Sequence, residues 1–311
     1  MKKEKLTVII PTYCVEEYID RCLDSLVNQS FPDIKILIVD DASTDGTIQI
    51  LENYEKHFNN IKVYYNKERK GPSWCRDYLL KLIDTEYVAF LDGDDWLDLD
   101  TYEKALNSFT DEIDIVLWDI DTVWGRSNYE SRYSYQHTNV INNTMALRLF
   151  SREMPYKYYI SPLLGNKIFR AKMLQMNNIT FDCYYYEDDI FTFKALVHSS
   201  SIAIMPQSKL YYYQRKDSFS RKFSANTISG FYKSFCHLKK YLTNLGLWEK
   251  TAGYYYAYYE KCITNLQKEC YRHGLTQKEE RCFYKALLCG FYASTDLSEY
   301  CKYCDLNMFP L

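Results

Sequence analysis

At 311 residues and 37.1 kDa the chain is about two average domains long, enough to bury a core without disulfide or metal staples. Hydrophobic residues at 47% and charged residues at 25%, with only 10 Gly and 7 Pro, exclude a disordered, collagen-like or linker-dominated chain. The 38 Lys plus Arg against 41 Asp plus Glu leave a net charge of −3, which supplies no field for gathering polyanions, so no nucleic-acid partner is expected.

The N-terminal text reads as alternating short β-branched runs and helical segments. Leu6 to Ile10, Ile34 to Val39, Ile61 to Tyr65, Tyr87 to Leu91 and Ile113 to Trp118 are predicted strands, with 3.6-type periodicity between them. Such alternation predicts an α/β fold: a mostly parallel central sheet with helices on both faces. Pro11 is expected to stop the first strand, and Thr44 or Asp45 to cap the helix after the second. From Trp124 to Ile160 the text turns polar and Tyr-rich, with one helix predicted over Asn143 to Ser151. A helix over Asp188 to His198, a short strand Ile202 to Met205 and the segment Leu210 to Arg215 follow.

Past Ala225, Ile228, Phe231, Phe235, Leu238, Leu242 and Leu245 recur at helical spacing, and further helices are predicted over Trp248 to Cys270 and Gln277 to Tyr292. The tyrosines Tyr254, Tyr255, Tyr256, Tyr258 and Tyr259 read as helix-packing core in preference to a membrane-interface or acceptor-sugar surface. No run approaches the ~18 apolar residues of a membrane span, and Met1 to Lys5 leads into too short an apolar stretch for a secretory leader. A cytoplasmic enzyme is expected, with peripheral contact at the inner face of the cell membrane through the aromatic and basic C-terminal helices; homo-oligomerisation is left open. Eleven scattered cysteines fit free thiols. Only Cys301-x-x-Cys304 has zinc-ligand spacing; Cys282, Cys289 and His273 would have to complete a site, no second CxxC pair accompanies it, and core packing is preferred.

In a parallel α/β sheet, ligands sit beyond the carboxyl ends of the strands. The first strand ends at Pro11-Thr12-Tyr13, the second at Asp40-Asp41-Ala42-Ser43 and the fourth at Asp92-Gly93-Asp94-Asp95. Carboxylates crowded on one rim repel unless a cation joins them, and hard oxygen donors favour Mg²⁺ or Mn²⁺, commonly brought with a diphosphate. Arg76 follows a Gly-Pro turn at the start of a helix, where it can face phosphate or a pyrimidine edge; the alternative is a surface ion pair with Asp77. Glu187-Asp188-Asp189 opens another helix, so its acids suit either capping or, with a pKa raised by a like-charged neighbour, general-base work.

Val8 to Tyr13, Cys22 to Phe31, Val39 to Thr47 and Phe90 to Asp95, in that order and spacing, resemble the family-two inverting glycosyltransferases of the GT-A fold. The resemblance is strong over residues 5–110 and fainter to 220, where Asn166 to Arg170, Glu187 to Phe191 and Leu210 to Tyr213 look like later landmarks of bacterial members. It implies a GT-A catalytic domain over 1–222, with a nucleotide-binding half over 1–120 and an acceptor half over 121–222, and a helical region over 223–311. It further implies that Pro11, Thr12 and Tyr13 line the nucleobase, that Asp41 accepts from the uracil or ribose, and that Arg76 joins them at the base or diphosphate. Asp92 would hold the ribose or donor sugar, Asp94 of the DxD-like motif would ligate Mn²⁺ or Mg²⁺, and Asp188, paired with Glu187, would be the catalytic base. The implied reaction moves a sugar from a UDP-sugar donor to a glycan or glycolipid acceptor in surface polysaccharide assembly.

Three positions depart from the family pattern: Cys14 stands for the usual Asn, Cys75-Arg76-Asp77 for Ala-Arg-Asn, and Gln214 for a frequent Arg, leaving Arg215, Lys216 and Arg221 as candidates to close over the diphosphate. A sugar nucleotidyltransferase is the competing enzyme class, but it wants a Gly-rich basic loop after the first strand, where Pro11 to Glu16 stands. A non-catalytic glycan-binding module would lack one acid pair, and both pairs are present.

Overall fold

The computed structural model describes residues 4–125, 128–133, 139–151, 159–183, 185–215, 225–274 and 276. The chain divides into two compact units, Met1–Ser218 and Phe219–Leu311. The first holds β1 (Leu6–Thr12), α1 (Ile19–Val27), β2 (Ile34–Asp40), α2 (Thr47–His57), β3 (Ile61–Tyr65), α3 (Pro72–Leu80), β4 (Tyr87–Phe90), β5 (Trp96–Leu97), α4 (Thr101–Asn107), β6 (Ile113–Trp124), β7 (Asn128–Tyr133), β8 (Asn139–Asn142), α5 (Asn143–Phe150), β9 (Lys167–Arg170), α6 (Ala171–Met176), α7 (Glu187–His198) and β10 (Ser201–Tyr213). The second holds α8 (Ala225–Asn244) and α9 (Trp248–His273).

One sheet runs in the order β3-β2-β1-β4-β9-β6-β10-β5, with β7 on β6 and β8 on β10. β1, β2, β3, β4, β6 and β10 point one way, and β9 lies antiparallel between β4 and β6. The parallel strands read as unbroken apolar runs because both of their faces are covered; Val8, Ile9, Ile10, Ile36 and Ile38 are fully buried. This confirms the expected sheet with its C-terminal helices, and makes it mixed.

Pro11 does not end β1. The strand continues to Thr12, pairing Pro11 with Val39. Leu91 N–H donates to the Ile9 carbonyl, so position 11, two residues on, faces the same side, where the β4 ladder has already stopped at Phe90. The missing donor therefore breaks no ladder bond. The helix after β2 starts later than expected. Its N-cap is Gly46, one residue past Asp45, although Asp45 still accepts from the Thr47 N–H at 3.1 Å.

The predicted strand Ile202 to Met205 and the segment after it are one strand. β10 pairs Met205 with Trp118 and Lys209 with Asp119, so Pro206, Gln207 and Ser208 form a bulge. A proline cannot feed a ladder bond, which is why the sequence reads as interrupted there. β7 and β8 carried no periodic signal because they are edge strands with exposed residues such as Tyr129 and Val140.

In the second unit, Ile228, Phe231, Phe235, Leu238 and Leu242 of α8 are buried, whereas Leu245 beyond its end is 51% exposed. Tyr255, Tyr258 and Tyr259 of α9 pack on Phe235, and the Tyr255 hydroxyl donates to the Phe235 carbonyl at 3.1 Å, so these three tyrosines are core. Among the described residues no helix is long and apolar enough to cross a membrane. The predicted helix over Gln277 to Tyr292 and the cysteines Cys282, Cys289, Cys301 and Cys304 lie outside the described residues.

Candidate active site

The carboxyl rim is built from four loops. After β1, Thr12 is buried and its hydroxyl donates to the Val39 carbonyl at 3.2 Å, while Tyr13 lies under the Arg69 guanidinium, 4.0 Å from the ring centre. Cys14 has φ 49°, and its N–H reaches Ser43 Oγ at 2.9 Å.

After β2, both acids are engaged within the fold. Asp40 Oδ2 accepts from the Ser43 N–H at 2.9 Å. Asp41 Oδ1 accepts from Asn66 Nδ2 at 2.7 Å and the Lys70 N–H at 2.8 Å, and its Oδ2 accepts from the Gly71 N–H at 2.7 Å. Gly71, at φ 90° in a region that L side chains avoid, leads into Pro72 at the first turn of α3. Asp41 therefore sets where α3 begins, and with it where Arg76 stands.

Between the two acids and Ser43, Ala42 sits at φ 63°. A Cβ in the left-handed region is strained, so Ala42→Gly is expected to raise unfolding free energy by about 0.5–1 kcal/mol in denaturant titration. A lower stability for that variant would show that the Ala42 methyl makes a compensating contact.

After β4, Gly93 is where a side chain could not stand comfortably: an added Cβ would lie 3.2–3.3 Å from Thr12, Ile19 and Val15 carbons. Asp95 Oδ1 accepts from the Tyr213 N–H at 2.8 Å, and Asp94 Oδ2 is 2.7 Å from Arg215 Nε. Burial pushes the Asp94 carboxyl up to about 6, with Arg215 pulling down and Asp92 pushing up. Of the three candidate cations, Arg215 reaches the acid turn; Lys216 and Arg221 lie outside the described residues.

Arg76 joins the fourth strand end to α7. Its side chain is 4% exposed; NH2 donates to Asp92 Oδ1 at 2.6 Å, and NH1 lies 3.2 Å from Glu187 Oε1 and 3.0 Å from Asp188 Oδ1. Burial alone would lower the guanidinium pKa, but the carboxylates of Asp188, Asp92 and Glu187 together raise it. The alternative, a surface pair with Asp77, does not form: Asp77 pairs with Lys81 at 2.7 Å. Arg76 instead brackets three acids, as a planar, multi-donor cation can.

None of the three acids holds the N-cap position of α7. Tyr186, at φ 56°, occupies the N-cap position, and its side chain makes no capping hydrogen bond. Asp188 is 19% exposed, and its carboxyl is pushed up to about 7, chiefly by burial and further by Glu187 and Asp92, against Arg76 and Lys167. Burial, more than the like-charged neighbour, is thus the main cause of the shift. Glu187 is raised too, again chiefly by burial.

Lys167 is a contributor that the sequence hid inside a landmark motif. It is fully buried, and its ammonium donates to the Ser161 and Leu163 carbonyls and to Asn166 Oδ1, which lies 2.7 Å away. Burial lowers its pKa to about 7 against the pull of Asp188 and Asp189. Three acceptors around three protons suit the ammonium form, so a positive charge stands behind Asp188. A buried lysine directly after an asparagine in a strand-forming run was the available signal.

Crowding of acids on the rim therefore does not by itself demand a metal, as the sequence suggested: Asp40 and Asp41 are answered by N–H donors, Asp92 by Arg76 and Asp94 by Arg215.

Residues 7–174 match the family described as glycosyl transferase family 2. The chain belongs to this family. Two curated relatives align with it at about one identical residue in three: the poly(ribitol-phosphate) beta-N-acetylglucosaminyltransferase TarS of Staphylococcus aureus, 34% identical over 218 residues, and the poly(ribitol-phosphate) beta-glucosyltransferase of Bacillus spizizenii, 30% identical over 219 residues. Each match takes in 68% of this chain but 36% and 33% of those proteins, so the chain spans about a third of the length of the curated relatives it matches. The solved structure of S. aureus TarS 1-349 in complex with UDP-GlcNAc superposes with a TM-score of 0.75 at 25% identity, over 94% of this chain and 82% of that one. Family 2 membership and the GT-A fold thus rest on sequence and on structure independently.

Proposed function

We propose that this chain is an inverting glycosyltransferase that moves one sugar from a nucleotide-diphosphate donor, UDP-linked, to a hydroxyl of a glycan or glycolipid acceptor in surface polysaccharide assembly. The observation that carries it is the Arg76 bracket, which brings Asp92 of the fourth strand end and Asp188 of α7 to one guanidinium, at 2.6 and 3.0 Å. Donor binding falls to Pro11, Thr12, Tyr13 and Asp41 at the base and ribose end and to Asp92 toward the sugar. The names of the TarS-type relatives, and the UDP-GlcNAc complex of one of them, support a UDP-sugar donor and a polymer acceptor.

Among the described residues no three acids, thiols or imidazoles converge as a complete ligand set. The donor chemistry nevertheless fits Mn²⁺ or Mg²⁺ shared with a diphosphate, because Asp94 offers hard oxygens whose ionisation burial opposes and a divalent cation would favour. Asp94 would hold that ion, which when bound offsets negative charge on the departing diphosphate.

The chain's own residues account for the rest. An alcohol is too weak an acid to attack an anomeric carbon unaided, so Asp188 takes its proton as the oxygen approaches opposite the leaving group, and configuration inverts. Arg76 holds Asp188 in place, and Arg215 beside Asp94 adds positive charge where the leaving group gains negative charge.

A base must be ionised, and Asp188 in the free enzyme titrates near 7. The value of kcat/KM is therefore expected to rise with pH on an acid limb centred near that value and to fall away below it. A profile flat from about pH 5 to 8 would remove Asp188 from the role. The direct test of function is UDP release from UDP-glucose, UDP-galactose and the two N-acetylhexosamine donors, with and without Mn²⁺. Release from one of them, enhanced by the ion, is the expected result; release from none, in either condition, rejects the transferase.

A further inference from the structure

Apart from the rim, the first unit carries a cavity of about 560 Å³ at β5, β6, β7 and β10, whose walls include Trp96, Tyr129 and Tyr211 together with Asp98, Asp121 and Lys209. Its volume is in the range of small-ligand sites. None of these six residues has a part in the donor site or the base described above.

The cavity is a built polar site. Asp98 Oδ1 accepts from the Tyr211 hydroxyl at 2.9 Å, and its Oδ2 accepts from the Lys209 N–H at 3.0 Å. Lys209 Nζ pairs with Asp121 Oδ2 at 2.5 Å. Asp121 is 5% exposed, yet its other oxygen, Oδ1, has no donor among the described residues. A buried carboxylate oxygen without a donor is rare in folded proteins, and it leaves Asp121 with unused acceptor capacity in the cavity wall.

The aromatic walls are fixed in place. Trp96 stacks on Tyr211, with ring centres 5.1 Å apart at 10°, and also carries the Arg21 guanidinium, 3.5 Å from its ring centre. Tyr129 meets Tyr211 edge-on at 6.1 Å and 81°, and with 54% of its surface exposed it has a ring free to take a flat apolar face.

Charge selects the ligand class. Two carboxylates against one ammonium leave the cavity net negative, which disfavours phosphates and nucleotides. A ligand with hydroxyl donors and an apolar C–H face fits, and that is a neutral saccharide. The site is also coupled to the transfer centre, since the Arg21 that covers Trp96 donates to the Asp94 carbonyl at 3.3 Å.

We infer that the cavity between β5, β7 and β10 is a second saccharide subsite, which holds an uncharged unit of the acceptor glycan on Tyr129 and Asp121, apart from the donor. Its part in acceptor holding rests on the transferase reading; glycan binding itself does not. The test is saturation-transfer NMR on the full chain with triacetylchitotriose, cellotriose and maltotriose as neutral probes and ribitol 5-phosphate as the anionic probe. At least one neutral probe is expected to give a signal that UDP does not displace, that falls roughly five-fold in Tyr129→Ala and that survives in Tyr129→Phe. UDP release from the donor without acceptor should be the same in Tyr129→Ala as in the parent chain. The subsite is overturned if no neutral probe binds, if binding persists in Tyr129→Ala, if UDP competes, or if ribitol 5-phosphate alone gives the signal. Neutral-probe binding in a chain that releases no UDP from any donor would uphold the subsite and remove the transferase.

Discussion

Asp188→Asn is expected to lower kcat by about 10²- to 10⁴-fold while leaving UDP affinity within about two-fold of the parent. The amide keeps the shape of the carboxylate but cannot take a proton. Its neighbours stay in place, because Arg76 still has Asp92 at 2.6 Å and Glu187 at 3.2 Å. Calorimetric titration with UDP, beside a UDP-release assay, separates binding from chemistry. Glu187→Gln is the control: Glu187 pairs with the same guanidinium, and full loss there with full activity in Asp188→Asn would exchange the two roles. Full turnover by both variants would leave no base in α7.

Arg76→Met is expected to have the largest effect on stability. It removes the cation from a place where Asp92, Glu187 and Asp188 converge on a side chain only 4% exposed. Stranding buried charge costs about 3–5 kcal/mol where it is fully buried, and the half-open Asp92 places this case near the lower figure, about 3 kcal/mol. Protonation relieves the remaining acids. Asp188 stands near 7 even with Arg76 lowering it, so removing the guanidinium raises that carboxyl further; the loss should be full above the variant's raised value and shrink as pH falls from there toward 7. Urea unfolding of parent and variant at several pH values checks both sign and window. Arg76→Lys should recover part of the stability, since one ammonium cannot bridge three carboxylates with the geometry of a guanidinium. A variant as stable as the parent at neutral pH would mean that the acids are neutralised by one another.

The parallel strands and the acids at their ends were legible because two buried faces force unbroken apolar runs, so the first polar residue after each run marks the rim. Asp92 and Asp94 could be named that way; Asp188 opens a helix, where spacing left cap and base open and only the family resemblance singled out the base. What joins them could not. Arg76 is followed at once by Asp77, and local spacing offers the pair on the helix surface, whereas the structure turns Arg76 inward to residues 16, 111 and 112 positions away and leaves Asp77 to Lys81. Asp41 shows the same limit. Its partners are mostly backbone N–H groups of Lys70 and Gly71, and a backbone donor has no signature in side-chain text. β7 and β8 escaped because an edge strand with exposed residues has no periodicity to display.

The bulge at Pro206, Gln207 and Ser208 has a further consequence. Side chains alternate across a strand, so inserting an odd number of residues exchanges the faces of everything downstream. Tyr211 and Tyr213 thereby stand beside Trp96, with Tyr212 against the core, and two positions on Arg215 shares the Tyr18 ring with Tyr213 and meets Asp94. Lengthened by one residue, the same kink would put Gln214 in the place from which Arg215 meets that acid. The length of a three-residue kink at the strand's midpoint thus sets which side chain, the Arg215 cation or its neutral neighbour, stands against Asp94.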